Sequence, residues 1–460
     1  MIQIVKELEM IESDILIIGG GPAGMVASAT SRQYYPDKKV VVVKKFEKSL
    51  VPCGIPYVFG TMLDSPHDDM IPCGDMAAKM GVELHEDEIV DIDFSSKKAI
   101  GKSGEAYGYD KLILATGSVP KEPKIENYDA EGVFFVPKNP DYILKMHAKV
   151  EEMESIAVIG TGFIGVEIAG ELAHKGKSVH LVGSRLLKHA FDPELSDYME
   201  REMLHENVEF HKDKRTSRIL VDEDGRACGV EFSDGESIEC DGVILATGYR
   251  PQTELAKKCG LSLRAFDTIY VDEYMRTTQP DVFAIGDCAE KRHFLTKRTV
   301  PIMLASTATA EARVAAANLY KINIVKSFSG TIDVFSTVIG DTCFASAGIT
   351  EEDAKKQEIN TSSATVIVDG KHPSKLPNNH KQAVRIVAMA NSGIVIGAQV
   401  IGGIDTGEMI NILGVIIEKR MTVYDLLNLQ VATHPLLTSG PTSYPIIQAA
   451  QNIAVEHISC

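Results

Sequence analysis

Asp14-Ile-Leu-Ile-Ile18 runs directly into Gly19-Gly20-Gly21-Pro22-Ala23-Gly24, and Ser155-Ile-Ala-Val-Ile159 runs directly into Gly160-Thr161-Gly162-Phe163-Ile164-Gly165. Each stretch is a short apolar run of β character, a G-x-G-x-x-G turn and then an Ala-containing helical pattern. In such a turn the first glycine permits a tight bend and the second lets a pyrophosphate approach the backbone. The third lets the helix pack close to the strand. The helix N-terminus then faces the phosphates. One such turn is weak grounds for a nucleotide site, but a second mark is repeated with it. Asp110-Lys-Leu-Ile-Leu-Ala-Thr-Gly-Ser-Val-Pro120 and Asp241-Gly-Val-Ile-Leu-Ala-Thr-Gly-Tyr-Arg-Pro251 agree at seven of eleven positions, and each follows its own glycine turn by roughly 90 residues. The chain therefore reads as α/β, with two Rossmann-like dinucleotide-binding domains.

Further out the texture changes. An Ala-rich helical run spans Ser306 to Tyr320. Beyond it, Thr331 to Val338 and Val384 to Val400 alternate like strands, the latter broken by the turn Asn391-Ser392-Gly393. Thr350 to Gln357 opens as a capped helix, Met409 to Lys419 and Val423 to Leu429 read as amphipathic helices, and Lys371 to Lys381 reads as a loop. This is an α+β module appended to the α/β body.

Composition bounds the function. The 460 residues are 44% hydrophobic and 24% charged, which excludes wholesale disorder. A net charge of −17 argues against a sequence-blind binder of nucleic acid or of anionic membranes. No stretch approaches about 18 consecutive apolar residues, so no transmembrane helix is expected. Met1 to Ser13, with Lys6, Glu7, Glu9 and Glu12, does not read as a secretory signal, so a reducing cytoplasm is the expected location. The eight cysteines are scattered, and neither a C-x-x-C pair nor a Cys/His metal spacing is present, so no metal is expected.

The order of these motifs, with Ala284-Ile-Gly-Asp287 after the second pair, resembles the two-dinucleotide-binding flavoprotein disulfide reductases. Ser49-Leu-Val-Pro-Cys53-Gly-Ile-Pro56 resembles the S-x-x-x-C-G-[IL]-P signature of their single-cysteine branch, which holds coenzyme A disulfide, persulfide and polysulfide reductases and NADH oxidases and peroxidases. The resemblance implies FAD in the first domain (1–150 with 266–330) and NADPH or NADH in the second (151–265). It also implies a homodimer through the interface domain 331–460. It assigns Gly19, Gly21 and Gly24 to the FAD pyrophosphate, with Lys44, Ser49, Thr116 and Gly117 beside it, and Asp287 to the ribityl chain. Gly160, Gly162 and Gly165 fall to the nicotinamide cofactor with Thr247 and Gly248, and Glu167 to the neighbourhood of the nicotinamide ring.

Cys53 is the expected nucleophile. A thiolate is the species that attacks a disulfide sulfur, so a depressed pKa at the start of a helix is expected, with Gly54 permitting close approach to a flat ring. Two-cysteine relatives carry C-x-x-x-x-C here, whereas this chain has Val58 in the second place. Electrons must then pass from Cys53 to a bound small sulfur compound, coenzyme A derivatives included, or through a Cys53 sulfenic acid to oxygen or peroxide. Gly19 to Ala29 holds no His, unlike the peroxidase relatives, which favours sulfur. Ile71-Pro72-Cys73-Gly74 echoes the Cys53 stretch and makes Cys73 a rival thiol. His434-Pro435 resembles the His-Pro whose imidazole serves as acid and base across the dimer in two-cysteine reductases. His372-Pro-Ser-Lys-Leu-Pro377 lacks the tyrosines that coenzyme A disulfide reductases carry in that loop. After the second strand of the second copy, Gly183-Ser184-Arg185 offers a hydroxyl and a guanidinium where an acid would select NADH, so Ser184 and Arg185 are read as accommodating a 2′-phosphate.

Overall fold

The structure is a computed structural model that describes residues 10–71, 73–325 and 328–459. The two glycine turns open two five-stranded parallel sheets of the same plan. In the first, strands Ile15–Ile18, Val40–Lys44 and Val82–Glu86 lie side by side, and Lys111–Leu114 flanks Ile15–Ile18 on the other side. In the second, Ser155–Ile159, Ser178–Gly183, Val208–Lys212 and Gly242–Leu245 repeat that order. The central strands Ile15–Ile18, Val40–Lys44, Ser155–Ile159 and Gly242–Leu245 are almost wholly buried and mostly apolar, as parallel sheets covered by helices require, while the edge strands Val82–Glu86 and Val208–Lys212 are mixed.

The fifth strand of each sheet comes from a different place. Val282–Ala284 closes the first sheet against Leu112–Leu114, so the first domain is built from two separated segments. Val133–Phe135 closes the second sheet against Val243–Leu245. The division of the chain therefore falls earlier than the expected boundaries at 151 and 266. Ile143, Met146 and Val150 of helix Pro140–Glu151 pack in the core of the second domain, while Ala256 and Leu261 already pack in that of the first. The two Ala-Thr-Gly segments then meet. Ser118–Pro120 and Tyr249–Pro251 pair antiparallel and form a ribbon joining the two domains.

The C-terminal module is a five-stranded antiparallel sheet in the order Phe335–Ile339, Thr342–Gly348, Val395–Gly403, Lys381–Met389, Thr361–Asp369. Helices Met409–Glu418 and Pro445–Ser459 share its apolar core. The Thr350 side chain caps helix Glu351–Lys356 by accepting from Asp353 N, as the sequence pattern anticipated. Buried Asp192 of the second domain accepts from Glu351 N, Glu352 N and Gln399 Nε2, which ties that domain to the module.

The two turns are matched in atomic detail. Gly19 and Gly160 have φ of 120° and 122°, and a Cβ there would lie 2.1 and 2.3 Å from the carbonyl oxygens of Ala115 and Ala246. A Cβ on Gly24 or Gly165 would lie 2.0 or 1.9 Å from the oxygen of Gly19 or Gly160, whereas one on Gly21 or Gly162 meets nothing within 4 Å. The first and third glycines are thus demanded by the protein itself, and the middle one stands at open space. Gly165→Ala is expected to cost about 1–3 kcal/mol, as forced overpacking does, and to lower the melting temperature. Gly162→Ala should leave melting unchanged and raise the dissociation constant for the nicotinamide dinucleotide.

Candidate functional site

Three cavities follow the two glycine turns. One of 580 Å³ runs from Gly19–Gly21 past Lys44, Ser49, Asp87 and Glu88 to Thr116–Pro120. A second of 420 Å³ adjoins it, since Gly21, Gly117, Ser118 and Lys138 line both. This one also touches Cys53, Gly162, Glu167, Gly248, Tyr249, Asp287 and Phe335, so all three domains contribute to its wall. A third of 440 Å³ sits over Gly160, Thr161, Gly183 and Ser184, with Lys124, Lys214 and Arg215 on its wall. A space that begins at a bare glycine and reaches the Cys53 thiol through two adjoining cavities has the extended form that a flavin dinucleotide needs. The 440 Å³ space fits the adenosine end of a second dinucleotide.

Cys53 precedes a five-residue 3₁₀ turn, Ile55–Phe59, in which Val58 and Phe59 are wholly buried against the glycine-turn helix Phe163–His174 of the second domain. Cys53 itself is exposed as a residue while lining the 420 Å³ cavity. The expected depression of its pKa does not come from the chain. Partial burial and the Glu167 carboxyl push the thiol up, while Lys138 pulls the other way. The preceding turn closes on itself, Gly54 N donating to Val51 O and Tyr57 N to Gly54 O, so these N–H groups are not spent on the sulfur. Gly54 has a further reason to be glycine: a Cβ there would lie 1.9 Å from Asp69 Oδ1. Burial pushes the Asp69 carboxyl up to about 6 despite a hydrogen bond from the Val51 backbone.

Asp287 follows Gly286 at the end of strand Val282–Ala284. Lys138 Nζ (2.6 Å) and Ser118 Oγ (2.7 Å) both donate to its Oδ2. Burial would raise its pKa, but Lys138 and the Ser118 hydrogen bond outweigh this and hold the carboxyl below the usual range. Glu167 behaves oppositely. Burial pushes it up to about 7, although Thr337 Oγ1 donates to it at 2.7 Å, and neighbouring Glu171 adds to the rise. The cavity therefore holds one firmly ionised carboxylate and one carboxyl poised near neutrality.

Of the other expected residues, Gly19, Gly21, Lys44, Ser49, Thr116, Gly117, Gly160, Gly162, Ser184 and Gly248 line the cavities, while Gly24 and Gly165 support the turns behind them. Thr116 Oγ1 donates to Gln252 O and Thr247 Oγ1 to Lys121 O, so both hydroxyls brace the crossing between domains. Arg185 is drawn away from the nucleotide wall. It pairs with Glu352 at 2.5 Å and donates to the carbonyls of Lys188 and Phe191. His434 is exposed on the loop before Pro435, where its Nδ1 accepts from Leu436 N, and within its own chain it lines none of the three cavities. The Cys73 side chain lies outside the described residues. Lys138, Thr337, Lys214 and Arg215 are the additions. Lys214-Arg215, two adjacent bases just past a strand, could have been picked out in the sequence, whereas Lys138 and Thr337 carry no local mark.

The fold is that of an oxidoreductase with two Rossmann-like dinucleotide-binding domains. Residues 13–312 match the model of the pyridine nucleotide-disulphide oxidoreductases, and residues 334–443 match that family's dimerisation domain, so the chain belongs to this family. An NAD(P)H coenzyme A polysulfide/persulfide reductase of Pyrococcus horikoshii is 31% identical over 86% of this chain and 88% of its own. An NADH oxidase of Methanocaldococcus jannaschii is 30% identical over 91% and 94%. The solved NAD-dependent persulfide reductase of A. fulgidus superposes with a TM-score of 0.89 at 27% identity, covering 97% of this chain and 84% of its own. The protein is an NAD(P)H-dependent flavin oxidoreductase.

A carboxyl whose folded pKa is raised favours folding while protonated, and that advantage is lost as pH rises from its unfolded value through its folded one. For Glu167 this window runs from its ordinary 4.5 to about 7. Thermal melts of Glu167→Gln should lose the fall in stability that the parent shows across this window, leaving the variant the more stable above pH 7.

Proposed function

We propose that the protein passes electrons from NAD(P)H through FAD and Cys53 to the sulfur–sulfur bond of a small disulfide, persulfide or polysulfide, coenzyme A-linked species included. The observation that carries this reading is Cys53, the one thiol among the described lining residues of the 420 Å³ cavity, with wholly buried Val58 where the second cysteine of two-cysteine relatives would stand. Position 58 offers no disulfide partner, so the oxidant proposed for Cys53 is exogenous. The names of the Pyrococcus and A. fulgidus relatives support a sulfur acceptor.

Gly19, Gly21, Ser49, Thr116, Gly117 and Asp287 would hold the flavin dinucleotide, with Lys44 beside it. FAD held there would supply two-electron chemistry between a nicotinamide and sulfur. The Cys53 thiolate attacks one sulfur of the acceptor, the S–S bond breaks and a thiolate departs. Glu167, partly protonated at neutral pH and on the same cavity wall, is a proton source within the chain. In the homodimer implied by the dimerisation domain, His434 of the partner subunit serves as acid for the departing thiolate. Free thiols on this scale suit a reducing cytoplasm. Charge for a 2′-phosphate comes from Lys124 and Arg215, which line the adenosine cavity, and not from Arg185, which Glu352 engages, nor from Lys214, which Asp234 and Glu236 engage.

Two experiments test the reading. Cys53→Ser should keep bleaching of the flavin by NADPH and lose turnover with coenzyme A disulfide, persulfide and polysulfide by at least about a thousandfold, because a hydroxyl cannot replace a thiolate at neutral pH. Stopped-flow reoxidation checks this, and reoxidation by oxygen or peroxide faster than by any sulfur acceptor would put an oxidase in its place. Arg215→Ala should raise KM for NADPH roughly tenfold with little change for NADH, the loss of one charge-assisted hydrogen bond. Arg185→Ala should leave the NADPH to NADH ratio unchanged.

A further inference from the structure

Away from the cavity linings, two imidazoles and a carboxylate meet on the second nucleotide domain. His180 lies on strand Ser178–Gly183, and Glu209 and His211 on the neighbouring edge strand Val208–Lys212. The parallel register pairs His180 with Glu209 and Val182 with His211. Residues two apart on a strand share a face, so all three side chains project from the same side of the sheet. His180 Nδ1 lies 3.1 Å from His211 Nε2 and 3.2 Å from Glu209 Oε2, and His211 Nε2 lies 3.6 Å from Glu209 Oε1.

We propose that His180, Glu209 and His211 bind one Zn²⁺ ion. A tetrahedral zinc site with bonds of about 2.0–2.1 Å has ligand–ligand edges of about 3.3 Å; the 3.1 Å between the two imidazole nitrogens and the 3.2 Å from His180 Nδ1 to Glu209 Oε2 lie close to that length, while His211 Nε2 faces the other carboxylate oxygen, Oε1, at 3.6 Å. Imidazole nitrogen and carboxylate oxygen form a donor set that zinc takes. Two neutral imidazoles facing nitrogen to nitrogen can share a single proton at most, whereas a cation satisfies both lone pairs and the carboxylate together. The Phe232 ring, 5.5 Å from that of His211, backs the site with apolar surface. The histidine side chains are only 15% and 13% exposed, but Glu209 is 65% exposed, so the fourth position opens to solvent and takes water.

The ion would join two strands that only the folded chain brings together, so its binding adds to folding stability. The strand it fastens leads within two residues into Asp213–Thr216, part of the wall of the adenosine cavity.

The test uses the full-length, FAD-loaded protein, stripped with a chelator, dialysed and titrated with Zn²⁺ against a chromophoric competitor. The expected result is one tight equivalent per chain and a higher melting temperature with zinc. Cys53→Ser should keep the equivalent, which separates this site from zinc captured by the redox thiol. His180→Ala and His211→Ala should lose it with the flavin spectrum intact. Glu209→Gln, a change at an exposed side chain, should weaken binding by more than about tenfold. The proposal is overturned if the parent retains less than about a tenth of an equivalent, if Glu209→Gln and His211→Ala bind as the parent does, or if Cys53→Ser abolishes binding.

Discussion

Three residue pairs, Ser118 with Pro251, Val119 with Arg250 and Pro120 with Tyr249, hold the geometry around the cavity. Each strand of this ribbon leaves its own Ala-Thr-Gly segment through a glycine in the left-handed region, φ 74° at Gly117 and 100° at Gly248. Because the two strands are copies of one repeat, the domains meet through equivalent edges. From the ribbon Ser118 donates to Asp287, and the Tyr249 ring lies 5.3 Å from the Lys138 ammonium that also holds Asp287. The same few residues thus set the angle between domains and the charge within the cavity.

That charge is anchored from below as well. Lys291 and Glu311, both almost fully buried, pair at 3.0 Å, and Glu311 also accepts from Gly286 N beside Asp287. Removing one partner of such a pair is far more costly than replacing both, because it strands a buried charge. The opposite wall follows another rule. Glu167 and Glu171 are both raised by burial, so this side favours the protonated carboxyl. One end of the cavity keeps a fixed negative charge and the other keeps an exchangeable proton.

Much of the fold was legible because its determinants are local. An apolar run, a glycine turn and a helix lie within about 20 residues of one another, and the fold repeats them. The C-terminal hairpin announced itself through Asn391-Ser392-Gly393 between strands Lys381–Met389 and Val395–Gly403. Domain limits were less legible because Val133–Phe135 and Val282–Ala284 are three-residue strands whose membership depends on partners about 110 and 170 residues away. In the site, the glycines and Cys53 could be read directly. The environment of Cys53 could not, because Glu167, Lys138 and Asp69 act on it from separate elements. Arg185 shows the limit most plainly. Its residue type suits a phosphate, but Glu352, 167 positions further on, claims its guanidinium.

The interrupted first domain has a consequence for the order in which the molecule is made. The second sheet is complete once residue 245 has been synthesised, and all its strands lie between 133 and 245. The first sheet, begun at Ile15, must wait for Val282–Ala284, and helix Ala305–Ala317 shares its core. Domains generally fold as units during synthesis, and long-range strand pairing is slow. The later-encoded nucleotide domain is therefore positioned to consolidate first, while the ribosome still holds the earlier one with an open sheet edge along Lys111–Leu114. In this chain the strands of the inserted domain are all encoded before the last strand of its host.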